Sequence, residues 1–457
     1  MRLNIGLVLL ILFFASACRK GERITTDPNA KLNISNKEVL FDTIFTSVGS
    51  TTKRIKIVNW NNDAVKISEI RLSGGNTSAF SININGEQTQ NKNDLIINGR
   101  DSINLFVKVS INPNSTNLPF LVQDSIILNT NGNKQVIQLL AYGQNAVFVN
   151  ESTINANTIW TKALPYIISG SLTVRSGSSL TIQPGTKIYF HKDANLNIEG
   201  NLMVNGSLTE PVLFCSDRLE YIYSDEPGQW KGIFLKRTGY GLIKNAIIKN
   251  ASVGITSDSL SINNSPKLIL SNSIIKNMQV AAYIGYHSEL LAFNNVMYNC
   301  GNYLIYAVGG GNYNLKQNTF AGYNSNFPRK TASLSFSDYL SANAYNKLQV
   351  DLTNNIIWGG LTNELDIQKK TSAIVQFNLW SNLIRSTNSA YSNNGNILNT
   401  DPLFINQDLE DFRVSPGSIA RKKGADLSTD PYFFNYLNQD AKGNTRIYPS
   451  TLGSYEK

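Results

Sequence analysis

Between positions 217 and 226 the chain gathers Asp217, Arg218, Glu220, Tyr221, Tyr223, Asp225 and Glu226, its densest run of side chains able to do chemistry. Tyrosine faces can stack on sugar rings, and carboxylates can hold Ca²⁺ through hard oxygen ligands. Two carboxylates opposed across a glycosidic bond would be a hydrolase, whereas a lyase needs a cation to neutralise a uronate and a base beside it. The run lies between apolar strands, so a ligand or Ca²⁺ loop is the functional candidate and a solvated charged connection the plainer assignment. No other cofactor is expected. The central segments are short of acids and carry Asn, Ser and Lys instead of paired Asp. His191 and His287 sit near strand ends, with no nucleophile elbow and no metal-binding pair at helical spacing. Catalytic residues are therefore left unassigned, and an enzyme is disfavoured.

Tyrosines are the other resource. Tyr283, Tyr286, Tyr298, Tyr303, Tyr306, Tyr313 and Tyr323 recur through the middle of the chain, followed by Trp358 and Trp380. Some must fill a core. Others, beside Gly309-Gly310-Gly311 and Asn-rich turns, are placed to line a groove on which sugar rings lie flat.

A repeat positions these residues. Asn245, Asn272, Asn294, Asn318 and Asn354 are each followed two residues later by a bulky apolar residue, at spacings of 27, 22, 24 and 36. The last spacing fits one period plus an insertion. A period in the twenties with β-rich sequence between is the mark of a solenoid. Its coils stack about 4.8 Å apart, so equivalent Asn residues should form a ladder at a corner where Asn tolerates left-handed backbone. Asn250, Asn277 and Asn299, each five residues after the first Asn of its coil, supply a second file. Gly185, Gly200 and Gly206 are expected at corners needing positive φ. The Asn-rich pieces 324–346 and 386–399 read as projecting loops.

The N-terminus opens with Met1-Arg2, an apolar run from Ile5 to Phe14, and Ala15-Ser16-Ala17-Cys18. That run is too short to span a membrane and describes an export signal over residues 1–17. The Cys after small residues resembles a bacterial lipobox, which implies acylation of Cys18 and attachment to a lipid bilayer. Cleavage removes only the charge of Arg2, taking the formal charge from +9 to +8. A basic exported protein suits an anionic polysaccharide or cell-surface glycan, and no nucleic-acid recognition motif is present. Cys215 and Cys300 lie in apolar strands and are expected as buried free thiols.

Residues 18–31 read as a polar tether. From 32 to 145 the pattern becomes alternating strands at Val39–Phe45, Arg54–Val58, Val65–Leu72, Phe80–Ile84, Ile103–Ile111, Asp124–Leu128 and Gln135–Leu140, with turns at Gly74-Gly75, Asn85-Gly86 and Asn131-Gly132. This is an immunoglobulin-like sandwich pattern. Gly49-Ser50-Thr51-Thr52-Lys53, Val58-Asn59, Gly74-Gly75 with Phe80, and Leu139 to Gly143 resemble the abnormal-spindle and hydin type of immunoglobulin-like domain, which implies a spacer or interaction module.

A second resemblance spans 150–457. It rests on Leu180-Thr181-Ile182-Gln183-Pro184-Gly185-Thr186, Gly228-Gln229-Trp230-Lys231-Gly232-Ile233, Asp401-Pro402-Leu403-Phe404 and Leu452-Gly453-Ser454-Tyr455-Glu456. These are similar to secreted or lipid-anchored right-handed parallel β-helix proteins of the pectate-lyase-like superfamily. Ile419-Ala420-Arg421 departs from the pattern, where those proteins usually carry Ala, Ile and an acid. The expected fold class is all-β, an immunoglobulin-like sandwich followed by a right-handed parallel β-helix. The expected role is a monomeric outer-membrane lipoprotein facing the exterior, with a non-catalytic carbohydrate or cell-surface binding face. A polysaccharide lyase or glycoside hydrolase and a structural envelope protein are the alternatives.

Overall fold

A computed structural model describes residues 23–324, 328–341, 343–370 and 374–456, and the signal segment and Cys18 lie outside them. The chain divides into two compact units between Asn145 and Ala146.

In the first unit every expected strand forms, and two sheets enclose one core. One sheet runs Ile24–Thr25, Ala64–Leu72, Phe120–Thr130, Asn133–Gln144, Glu38–Phe45, with Asn91–Ile97 also paired to Ala64–Leu72. The other runs Asn33–Ile34, Lys53–Val58, Ser102–Val109, Phe80–Ile84, Glu87–Gln88. Alternate residues point inward, and Ile55, Ile67, Leu105, Leu128 and Leu139 meet in the shared core. Asn85-Gly86 and Asn131-Gly132 both close two-residue hairpins at positive φ, the backbone that a tight turn between twisted strands demands. The tether expected over 18–31 needs correction within its described part. Ile24 and Thr25 pair in parallel with Ala64 and Val65, and Ala30 is buried in the core. Strand pairing to a distant segment, which a short polar stretch does not announce, fixes these residues.

The second unit is one 25-stranded parallel ribbon wound into a right-handed β-helix. Among the described residues it makes nine complete coils from Val147 to Trp380, followed by the short strands Leu383–Ile384 and Ile397–Leu398. A representative coil is Val212–Ser216 on a first face, Gly232–Leu235 on a second and Tyr240–Lys244 on a third. Like residues stack along the axis. Leu172, Leu196, Ile233, Ile255, Tyr283, Ile305, Leu334 and Leu365 form a single interior file through successive registers of the second face. Each of these side chains is buried, so the fold is an apolar rod in which every coil covers its neighbours. Trp230 packs inside the rod, stacked on Phe190 at 3.9 Å with its indole N–H donated to the Lys249 carbonyl at 2.9 Å.

The Asn ladder exists with one change of membership. Asn245, Asn272, Asn294 and Asn354 share the corner between third and first faces, each at φ between 49° and 60°. Gln317 takes that place in the intervening coil, at φ 59°. Asn318 belongs to the adjacent file, where Asn295, Asn318, Asn355, Asn382 and Asn396 pass amide hydrogen bonds from coil to coil at 3.0 Å. In the second expected file, Asn299 donates to Asn277 at 2.6 Å.

Two glycines serve a different purpose from the one expected. Gly185 has φ 75°, but Gly200 and Gly206 are not in the left-handed region. A Cβ on Gly200 would stand 2.2 Å from the Ser178 carbonyl oxygen, and one on Gly206 2.0 Å from that of Asn245, so close backbone approach selects them. The Asn-rich pieces expected as loops also contribute rungs. Leu334–Ser337 continues the second face, and Asn396 with Ile397–Leu398 ends the ladder.

Beyond Asp401 the chain doubles back along the helix. The Phe404–Asn406 and Asp411–Val414 hairpin packs on first-face Tyr298 and Ala321 through Phe412. Residues 425–454 then cover the Asn corner: Asn294 donates to the Tyr436 and Gln439 carbonyls, Arg446 donates to Asn294 Oδ1, and Ser454 donates to the Asn295 carbonyl.

Candidate functional site

The loop 217–229 does not focus its charges on one point. Asp217 Oδ2 lies 2.7 Å from His191 Nδ1. Arg218 pairs with Glu220 at 3.2 Å and lies over the Tyr223 ring at 3.8 Å. Asp225 accepts from Asn277 Nδ2 at 2.9 Å, while Glu226 offers its main-chain carbonyl to Asn250. Tyr221, at the tip of the turn Tyr221–Tyr223, is 87% exposed. Lys249 fastens the loop to the first face through the Ser224 carbonyl, and Gln229 braces it internally through the Tyr223 carbonyl. Among the described residues no group of three His, Cys, Asp or Glu side chains is arranged to hold a metal. The loop is thus a pinned lid over the Cys215 strand, with its tyrosine tip outward.

Both thiols are buried and free. Burial pushes each up to about 12, so neither is a nucleophile at neutral pH. His287 reaches the corresponding corner of the next coil, with Nδ1 3.0 Å from the Gly309 carbonyl.

The tyrosines sort by face. Tyr283 and Tyr313 are wholly interior, whereas Tyr303, Tyr306, Tyr286 and Tyr339 gather outside the second face. A strand alone would not do this, because residues three apart point to opposite sides. Here the amides of Leu304 and Ile305 both donate to the Ser333 carbonyl, at 2.8 and 3.0 Å, and the two side chains are buried in succession. This local bulge, in register with the likewise buried run Ala281-Ala282-Tyr283 of the preceding coil, returns Tyr303 to the side of Tyr306. Their rings stack at 4.4 Å and 21°. Partial burial, then the crowding of Tyr303, Tyr286 and Tyr339, raises the Tyr306 hydroxyl above its ordinary value. Tyr339 stands on the hairpin Tyr339–Ser341 and Ala344–Tyr345, donates to Gln368 Oε1 at 2.6 Å, and has Lys370 Nζ 5.9 Å from its ring centre.

The outer file through Tyr306 reads Ile284, Tyr306, Ser335, Asp366. It holds one carboxylate, two coils from the stacked rings and bound by Gln368 Nε2 at 2.6 Å. The result is a platform of aromatic faces with hydroxyls at its edge and Lys370 beyond, suited to gripping a flat, hydroxylated ring. Tyr339 and Lys370 escaped sequence reasoning. The alternation Ser335, Phe336, Ser337 was the available sign that a second-face strand led into Tyr339.

Residues 138–320 match the family model described as the right handed beta helix region. No curated protein sequence matches the chain. Among solved structures, one titled as the complex of XylC with xylose shares 10% identity and a TM-score of 0.33 over 91% of this chain and 89% of its own. A family 123 glycoside hydrolase from Clostridium perfringens shares 9% identity over 27% of this chain and 30% of its own, with a TM-score of 0.19. The ASH or PapD-like domain of human CEP192 shares 14% identity over 28% of this chain and 95% of its own, also with a TM-score of 0.19. This chain therefore spans less than a third of that glycoside hydrolase. TM-scores of this size carry nothing about a site.

Proposed function

We propose that this protein is a lipid-anchored envelope protein, held at the outer membrane through Cys18, whose β-helix binds glycan without cleaving it. The observation that carries this reading is the stacked Tyr303–Tyr306 pair, joined by Tyr286 and Tyr339 on one outer face. Four phenol rings left partly open to solvent have no packing reason to cluster there, and apolar sugar faces are their natural complement. The scarcity of opposed acids in the same file supports binding over hydrolysis. The basic charge supports an acidic or mixed polysaccharide.

The full chain, purified in detergent, should be titrated with acidic and neutral polysaccharides while release of reducing ends and of unsaturated uronates is followed. Binding without cleavage, weakened on the order of tenfold by Tyr306→Ala, is expected; loss of one ring contact removes about 0.5–1.5 kcal/mol beyond its buried area. Cleavage would replace this reading with the lyase or hydrolase alternative, and indifference to Tyr306→Ala would remove the platform from it. Fatty-acid labelling that persists in Cys18→Ala would overturn the anchor.

A further inference from the structure

The Phe404–Asn406 and Asp411–Val414 hairpin leaves a cleft of about 640 Å³ against the first face, lined on one side by Tyr298 and Tyr323 and on the other by Gln407, Asp408 and Glu410. Glu410 is fixed by two partners. Its Oε2 accepts from Tyr298 Oη at 2.7 Å and from Lys276 Nζ at 2.5 Å. Burial, and then this carboxylate, hold the Tyr298 hydroxyl far above its ordinary value, so it stays a donor. Glu410 Oε1, the Asp408 carboxylate and the Gln407 amide meet no protein partner among the described residues and line the opening. Two of the nearby cations are already paired: Lys276 lies between Glu410 and Asp225, and Arg329 is 2.6 Å from Glu364. Arg385, near Tyr323 on the opposite wall, turns to the Gly359 carbonyl and the Trp358 ring. The hairpin wall of the cleft, with Asp408 and Glu410, is therefore locally acidic on a chain of formal charge +9.

We propose that this cleft is a second glycan site, specific for a neutral sugar and separate from the tyrosine platform. Its volume lies in the ~300–1,000 Å³ range of small-molecule sites. Carboxylate acceptors beside an amide that both donates and accepts match the adjacent hydroxyls of a pyranose, and the Tyr323 ring offers a wall for its apolar face. Asp408 and Glu410 would repel a uronate or a phosphate, so selection against acidic sugars is built in. Two sites on different faces would let one molecule hold a mixed polysaccharide at two points or link two strands, raising avidity without a new contact. The inference shares with the proposed function only its ligand class.

Calorimetric titration of the full chain in detergent with β-linked hexaoses of glucose, xylose and mannose, and with hexagalacturonate, separates the two. Neutral hexaose binding should weaken at least tenfold in Asp408→Ala and in Glu410→Gln, both exposed turn positions, and persist in Tyr306→Ala. Hexagalacturonate binding should not depend on Asp408. If neutral binding is lost in Tyr306→Ala and untouched in Asp408→Ala, the cleft is not a site and the platform stands. If no neutral hexaose binds, the inference fails whatever hexagalacturonate does. Neutral binding lost in Asp408→Ala, with no ligand sensitive to Tyr306→Ala, would uphold the cleft and overturn the platform.

Discussion

Replacing Asn355 by Ala should unfold the β-helix far more readily than replacing Asn272, although both sit at the same corner. Asn355 is wholly buried. Its Nδ2 donates to the Leu315 carbonyl at 2.8 Å and to Asn382 Oδ1 at 3.0 Å, while its Oδ1 accepts from the Asn318 backbone N–H at 2.9 Å and Asn318 Nδ2 at 3.0 Å. Asn318 Nδ2 keeps its bonds to the Ala292 and Lys316 carbonyls, but the Asn318 N–H is stranded. One orphaned buried donor costs about 1–3 kcal/mol and three further bonds about 0.5–1.5 kcal/mol each, which places Asn355→Ala near a loss of 3–7 kcal/mol. Asn272 contributes mainly a left-handed backbone, at φ 49°, and its Oδ1 has no partner. Asn272→Ala should therefore cost less than the ~1–2 kcal/mol left-handed penalty of an L residue, most of which Asn already carries. Urea unfolding followed by far-ultraviolet circular dichroism and by tryptophan fluorescence would compare the two; coincidence of the probes checks that a stacked array still unfolds as one unit. Equal shifts for the two variants would refute the distinction between a load shared along the ladder and a corner chosen only for its backbone.

The Arg329–Glu364 pair, 3% and 0% exposed, should lose about 3–5 kcal/mol when either partner alone is neutralised, since the other charge is left buried. Arg329→Met with Glu364→Leu should cost clearly less than the two single changes added, as a double-mutant cycle by chemical denaturation would show; simple additivity would contradict the coupling. Cys215 and Cys300 should resist alkylation at pH 8 in the native protein and react within minutes in denaturant. With both thiols raised to about 12, the reactive thiolate stays scarce until well above pH 10, and labelling of either at neutral pH, followed by mass spectrometry, would show that its strand opens.

The period of the solenoid was legible because stacking forces like residues into files, but the choice of file was ambiguous by one position. Asn294-Asn295 and Asn354-Asn355 each place one Asn in the corner file and one in the ladder, so an Asn-x-apolar pattern fits either. Asn318 follows Gln317, which occupies the corner without looking like an Asn, and it was therefore assigned to the wrong file. Within the charged run 217–226, proximity in sequence is not convergence in space: Arg218 spends itself on Glu220 two residues away, in keeping with the plainer assignment of a solvated charged connection. Tyr303 and Tyr306 were legible as groove residues by type, not by parity.

A β-helix can gather aromatic side chains on one outer face only by particular devices. Strict alternation lets each rung of the second face show solvent only every other residue, so neighbouring large aromatics on one outer side require either two coils or a break in the pleat. This chain uses both. The bulge at Leu304-Ile305 brings two tyrosines together within a coil, and the neighbouring coils add Tyr286 on one side and Tyr339 on the other. The cleft beside Glu410 is made differently, by a tail that brings residue 410 to Tyr298 across 112 positions of sequence. Neither device perturbs the interior file, where Ile305 and Leu334 keep their register. Clustered aromatics and an acidic cleft are thus added to the outside at two places without disturbing the interior packing.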